Sequence, residues 1–294
     1  MKKIIIFGGC GFLGSWIVKS FLLKGYNVSI FDLKIQKELL SYDIGKDINK
    51  IKFIQGDITN YDQVREATSK MDHVINLAGL MTPDCSSNPI LGAKVNVLGS
   101  INVFEALKKN NIKFLVYASS AGVFGQKDKY NPFPETHYGA YKLAVEGVAR
   151  AYFNEANISS VGIRPYVIYG PGREIGGTAG VTLACKAAKQ GYNYTINFSG
   201  KAGFVFVEDV TNLVERLIDK APIGALTMNI NGITTSVENF VSIIKKIIPD
   251  AKVKFNGKPL NVVEEILGGG PSKIFYDFKY TSLDHGINKT INFY

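Results

Sequence analysis

The chain has little of what soft metals or disulfides need: three cysteines and three histidines in 294 residues. Cys10, Cys85 and Cys185 are odd in number and widely spaced, which excludes a disulfide framework and a zinc pattern. His73, His137 and His285 add no metal constellation, so no metal is expected. Arginine is also scarce. Only Arg65, Arg150, Arg164, Arg173 and Arg216 stand among the 34 basic residues, so the net charge of +9 is a lysine charge. Those lysines are scattered beside Asp, Glu and Asn rather than clustered with aromatics, so no nucleic-acid partner is expected. The positive field favours small anionic molecules instead. No uninterrupted run of about 18 apolar residues occurs, so neither a membrane span nor a membrane partner is expected. The N-terminus begins basic, but its apolar run breaks at Gly8-Gly9, too early for the apolar region of a signal peptide. A cytoplasmic location is therefore expected.

What the chain has is 46% hydrophobic residues arranged in alternating strand and helix patterns. Lys3–Phe7, Asn27–Phe31, Lys52–Gln55, His73–Leu77, Phe114–Ala118 and Ser160–Ile163 read as strands. Gly11–Gly25, Pro89–Asn110 and Glu135–Asn157 read as helices. This alternation predicts an α/β fold, a Rossmann-like doubly wound parallel sheet over residues 1–164. Residues 165–294 are expected to form mainly a smaller C-terminal substrate lobe, with some segments returning to the sheet and the site in the cleft between lobes. There Tyr169–Gly180 reads as loop, Val181–Gln190, Glu208–Lys220 and Ser236–Ile248 as helices, and Phe204–Val207 and Leu226–Ile230 as strands. The remainder shows little periodicity.

Gly8-Gly9-Cys10-Gly11-Phe12-Leu13-Gly14 follows the first strand and opens the first helix. Glycines there let the backbone turn sharply and approach a pyrophosphate, while the helix N-terminus offers free N–H groups and a positive dipole end. Asp32 ends the next strand. A carboxylate there accepts hydrogen bonds from the adenosine ribose and repels a 2′-phosphate, which selects NAD over NADP, although Lys34 lies close by.

Further on, Tyr138 and Lys142 are one helical turn apart on the same face. A phenol has a reference pKa near 10, and moving it to about 7 takes roughly 4 kcal/mol, within reach of two nearby cations in a dry site. The phenolate could then take a proton from an alcohol. Ser119-Ser120 follows the strand Phe114–Ala118, at the strand end where ligands bind in parallel sheets, and could hold the substrate oxygen toward Tyr138.

With these residues the chain resembles the extended short-chain dehydrogenase/reductases, the NAD-dependent epimerase/dehydratase group. The resemblance rests on the glycine turn, Asp32, Gly56-Asp57-Ile58, Asn76-Leu77-Ala78-Gly79, Asn96-Val97-Leu98-Gly99, Ser120, Tyr138/Lys142 and the run from Arg164 to Gly172. It implies that Gly8, Gly11, Phe12, Leu13, Gly14, Asp32, Asp57, Ile58, Leu77, Ala78, Gly79, Asn96 and Tyr166 meet or support the NAD. It also implies Tyr138 as base, Lys142 on the nicotinamide ribose and Ser120 orienting substrate, in a homodimer paired through the helices spanning about Ile90–Asn110 and Glu135–Asn157.

Three departures narrow the substrate. Ala121 and Gly122 stand where dehydratases carry an acid pair, so elimination of water lacks its general acid. Val167 replaces the usual Asn, and Ala202 the Arg that clamps a diphosphate. Arg173 remains as an anion-binding candidate. The leading expectation is an NAD-dependent oxidoreductase or epimerase acting at a secondary alcohol or ketone of a sugar or sugar-like small molecule, anionic or neutral. The alternatives are a UDP-glucose 4-epimerase-like enzyme of nucleotide sugars and a non-catalytic NAD-sensing protein.

Overall fold

Ile4, Ile5 and Ile6 are wholly buried in strand β1 (Lys3–Phe7), as a strand covered on both faces requires. A computed structural model describes residues 1–38, 40 and 44–294 of the chain. They divide into two units: Met1–Ser120, Thr136–Arg164 and Thr211–Met228 form the first, and Ala121–Glu135, Pro165–Val210 and Asn229–Tyr294 the second.

The first unit is built on a parallel sheet. β1 pairs with β2 (Asn27–Asp32) on one side and β4 (His73–Asn76) on the other; β2 continues to β3 (Lys52–Gln55), β4 to β5 (Phe114–Ala118) and β5 to β6 (Ser159–Pro165), every pair parallel. With β10 (Ala225–Ile230) at the far edge the order is β10-β6-β5-β4-β1-β2-β3. The chain reverses direction across the sheet between β1 and β4, and ligands bind outside the carboxyl ends of strands at such a switch point.

Helices α1 (Phe12–Leu23), α2 (Tyr61–Thr68), α3 (Thr82–Ser87), α4 (Pro89–Lys109) and α5 (His137–Ala156) accompany these strands. α1 stops where expected: Gly25 has φ +76°, the left-handed turn that terminates a helix without a Cβ penalty. α5 is closed at one end by Thr136, whose side chain accepts from Gly139 N, and at the other by Asn157 at φ 54°. α4 has the length and mean hydropathy of a membrane span, which a search for uninterrupted apolar runs passes over. Its Val103, Phe104, Ala106 and Leu107 belong to the buried core of the unit, together with Ile5, Phe7, Leu115 and Tyr117 of the sheet. Within α4, Lys94–Leu98 forms a turn of π-helix.

In the second unit, β9 (Lys201–Phe206) pairs in parallel with β7 (Val167–Tyr169) and antiparallel with β11 (Ile233–Ser236), while β8 (Tyr194–Ile196) pairs with β12 (Val253–Phe255). Tyr169, Phe204, Phe206 and Phe240 pack tilted or edge-on in its core, with ring centroids 5.0–5.5 Å apart along the chain of contacts. Its helices include α6 (Gly180–Gln190), α8 (Val237–Ile247) and α9 (Leu283–Phe293), and α7 (Val207–Lys220) begins within it. The strand expected over Phe204–Val207 ends one residue sooner, because Val207 already opens α7. α9 lies in the stretch that reads as aperiodic. Two of its buried positions are Gly286 and Thr290, which no hydrophobic pattern marks; a Cβ on Gly286 would collide with Tyr169 Oη.

Candidate active site

The glycine turn is shaped by close approaches. Gly8 has φ +75°, and a Cβ there would stand 2.9 Å from the backbone N of Ala78. A Cβ on Gly14 would collide with Gly8 O, so this glycine lets α1 press against the turn. Gly11 is the N-cap of α1 and has no side chain to cap it, which leaves the first-turn N–H groups near Phe12, Leu13 and Gly14 to an anion. A Cβ on Gly11 would meet only Gly8 O, at 3.4 Å. The turn thus offers uncapped backbone N–H donors, the polarity that suits a pyrophosphate.

Asp32 lies at the end of β2, and its Oδ2 accepts Cys10 N–H at 3.1 Å. Burial raises the Asp32 pKa, while the backbone N–H groups of Cys10, Leu33 and Lys34 oppose the rise. The carboxylate is thereby held against the turn, as ribose recognition requires.

Asp57 and Ile58 are occupied differently. Asp57 Oδ1 accepts from both Thr59 N and Thr59 Oγ1 at 2.8 Å, closing the bend before α2. The Ile58 side chain is buried in the core, against the position a Cβ on Gly99 would take. An adenine would therefore meet the backbone and the remaining carboxylate oxygen of this segment more than the Ile58 side chain.

Leu77, Ala78 and Gly79 follow β4 at the switch point. Leu77 N donates to Phe7 O at 2.9 Å and Ala78 N to Asn76 Oδ1 at 3.2 Å. Gly79 brings three candidates together. A Cβ on it would stand 2.5 Å from Asn96 Oδ1 and 3.3 Å from Lys142 Nζ. Asn96 sits in the π turn of α4 and is buried. Its Nδ2 faces Gly92 O (3.1 Å), Leu80 O (3.2 Å) and Cys85 Sγ (3.3 Å), while its Oδ1 is a buried acceptor with no hydrogen-bond partner among the described residues. An unpaired buried acceptor is costly, and it suits a ligand donor.

Lys142 is buried on α5, and its Nζ donates to Ala118 O at 2.7 Å. Burial pushes its pKa down to about 8, with the Cys85 thiol opposing. The ammonium lies 5.6 Å from the centroid of the Tyr138 ring. Tyr138 is partly exposed, as is Ser120, two residues beyond the end of β5. Ser120, Tyr138, Lys142, Asn96, Gly79 and the glycine turn all belong to the first unit.

Tyr166 and Arg173 belong to the second unit. Tyr166 Oη donates to Val263 O at 2.5 Å, and burial raises its pKa. Arg173 is buried; its guanidinium donates to Ile168 O and, at 2.8 Å, to Thr178 Oγ1.

Three residues near the site carry no local motif. Cys85 is wholly buried beside Asn96, with burial raising its pKa. Tyr141 Oη donates to Pro89 O at 2.9 Å and ties α5 to α4. Glu146 is buried on α5 and accepts from Ser119 Oγ and Arg164. Only spacing along α5 could have marked Tyr141 or Glu146. Among the described residues no group of three or more His, Cys, Asp or Glu could hold a metal.

The family model described as NAD dependent epimerase/dehydratase family matches residues 4–230. The decarboxylating sterol-4-alpha-carboxylate 3-dehydrogenase of Candida albicans is 36% identical over 58% of this chain and 52% of its own length. The bifunctional UDP-glucose and UDP-xylose 4-epimerase 1 of Pisum sativum is 36% identical over 51% of this chain and 47% of its own. The chain thus spans about half the length of these curated relatives. In three dimensions, UDP-glucose 4-epimerase of Thermus thermophilus, solved with NAD, superposes with a TM-score of 0.84 at 21% identity, covering 99% of this chain and 98% of that one; this likeness bears on the fold.

Proposed function

The chain belongs to the NAD dependent epimerase/dehydratase family, and from that premise we propose that it uses NAD to interconvert a secondary alcohol and a ketone on a sugar or sugar-like molecule. The observation that carries this reading is the buried Lys142 ammonium beside the Tyr138 ring, next to Gly79 and Asn96. The glycine turn fits the pyrophosphate and Asp32 the adenosine ribose. Leu77–Gly79 would line the cofactor, and Asn96 Oδ1 would accept from one of its donors. Asp57 and the backbone at Ile58 would border the adenine. By the family resemblance Tyr166, its hydroxyl held by Val263, would present its ring to the nicotinamide. NAD when bound supplies the two-electron acceptor and donor.

The chain's own residues manage the proton. Ser120 would donate to the substrate oxygen and hold it toward Tyr138. Lys142 stabilises the Tyr138 phenolate by charge and would also bind ribose hydroxyls. Tyr138 then takes the alcohol proton as the ketone forms and returns it in the reverse direction. Ala121 and Gly122 carry no acid, so this machinery supports oxidation, reduction or epimerisation and not loss of water. Val167 and Ala202 at the diphosphate-recognition positions favour a smaller sugar or sugar acid over a nucleotide sugar. Arg173 would offer its charge to an anionic group from a guanidinium already fixed by Ile168 and Thr178.

The test is a panel of hydroxy compounds assayed with the unmodified chain and with Tyr138→Phe. An activity lost in the variant while NAD binding persists supports the enzyme. A panel without activity favours a non-catalytic NAD-sensing protein, and activity unchanged in the variant overturns Tyr138 as the base. Tightly retained NAD that dialysis cannot remove would mark epimerisation rather than net oxidation.

A homodimer paired through α4 and α5 belongs to the same reading. Ile90, Leu91 and Leu98 on α4 are 72%, 44% and 52% exposed, an apolar stripe that suits a partner copy. Sedimentation showing only monomer at micromolar concentration would overturn it. The three free, buried cysteines agree with a reducing compartment such as the cytoplasm.

A further inference from the structure

Tyr138, Lys142 and Glu146 follow one another at four-residue spacing along α5, and the last two each grip one residue of the strand end that carries Ser120. Lys142 Nζ donates to Ala118 O at 2.7 Å, and Ser119 Oγ donates to Glu146 Oε1 at 2.6 Å. Glu146 is in turn fixed from β6: Arg164 Nε donates to Oε1 at 2.7 Å and Arg164 Nη2 to Oε2 at 2.5 Å. Ser119, Glu146 and Arg164 are 2%, 1% and 8% exposed, so these are charge-assisted bonds out of reach of water. Ser119 N also donates to Ile163 O at 2.8 Å, one residue before Arg164.

We propose that Glu146, through Ser119, is a positioning residue that sets the Ser120 hydroxyl against Tyr138 and Lys142. The inference rests on the functional reading above. Its logic is geometric. Ser120 follows directly on Ser119, and Tyr138 stands two helical turns from Glu146 on the same face of α5. A bond between Ser119 and Glu146 therefore fixes the strand end against the helix that carries the base. Arg164 holds the carboxylate in one orientation, so Ser119 meets an acceptor that cannot swing. A misplacement of about 1 Å in such a constellation can cost on the order of 100-fold in rate.

The experiment is a double-mutant cycle on the NAD-loaded protein, with D-glucuronate and UDP-glucose as probe substrates, reading kcat, KM, NAD affinity and melting temperature. Ser119→Ala is expected to lower kcat about tenfold, with NAD affinity changed less than twofold. In a Ser120→Ala background the same substitution is expected to change kcat less than twofold, because the group it positions is gone. Equal losses in both backgrounds overturn the positioning role while leaving the functional reading intact. A Ser120→Ala variant as active as the parent, or a parent that turns over neither probe, overturns the reading and the proposal with it. Glu146→Gln supplies a second line, since it keeps an acceptor for Ser119 but loses the anion facing Arg164. Its melting temperature is expected to fall more, and its kcat less, than in Ser119→Ala; the reverse order overturns the proposal.

Discussion

The side-chain oxygen of Asn96 lies 2.5 Å from the place a Cβ on Gly79 would occupy. Asn96 cannot yield readily, because its Nδ2 is enclosed by Leu80 O, Gly92 O and Cys85 Sγ. Gly79→Ala is therefore expected to force this segment away from Asn96. It should cost about 1–3 kcal/mol of stability as an overpacking substitution and weaken NAD binding tenfold or more. Urea denaturation and a calorimetric titration with NAD check the two effects separately.

Lys142→Met tests the cost of the buried ammonium. Below pH 8 the lysine is protonated in both the folded and unfolded chain, and the folded protein bears the whole burial cost. Between pH 8 and about 10.5 the folded chain loses that proton first, so the parent gains stability as pH rises. The gain amounts to about 3 kcal/mol over that window. The stability of the parent relative to Lys142→Met should accordingly increase from pH 7 to pH 10. A constant difference across that range would contradict the burial account. At neutral pH, where Lys142 carries its charge, activity should fall at least 100-fold in the variant.

Arg164→Met leaves Glu146 buried without its cation. The expected loss is about 3–5 kcal/mol. The double variant Arg164→Met/Glu146→Leu removes both charges and leaves the Ser119 hydroxyl without its carboxylate, so it should be more stable than Arg164→Met alone. Denaturant midpoints for the two variants decide the order.

Asp32→Asn replaces the acceptor that holds Cys10 N–H with a neutral one. The bond to Cys10 can survive through the amide oxygen, but the repulsion of a 2′-phosphate is lost. The ratio of NAD to NADP affinity is expected to fall at least tenfold, mostly through tighter NADP binding. An unchanged ratio would show that Asp32 does not face the ribose.

Local chemistry made much of this molecule legible in advance. Gly8 and Gly25 stand where φ is positive, and each marks a boundary that the strand and helix patterns also mark. Tyr138 and Lys142 are one turn apart, so their encounter follows from helix geometry alone. The brace of Ser119, Glu146 and Arg164 joins residues 18 and 27 positions apart, and no short motif encodes such a contact. At Asp57 the motif marks a bend, where one carboxylate oxygen closes a turn with Thr59, as short polar side chains favour before a bend. α9 was hidden because its buried face includes Gly286 and Thr290, where smallness and a hydroxyl were needed rather than apolar bulk.

The path of the chain between Ser120 and Tyr138 has an evolutionary corollary. It leaves the first unit directly after Ser120 and re-enters at Thr136, the cap of the helix that presents Tyr138. Ala121, Val123 and Phe124 are buried and leave little room for change, whereas residues 126–135 are exposed or half-buried and can vary in composition while both anchors stay where the sheet and α5 hold them. Selection could rewrite that excursion to suit a new substrate without renegotiating the acid–base apparatus, so a lineage of such chains can diversify in what it accepts while conserving how it reacts.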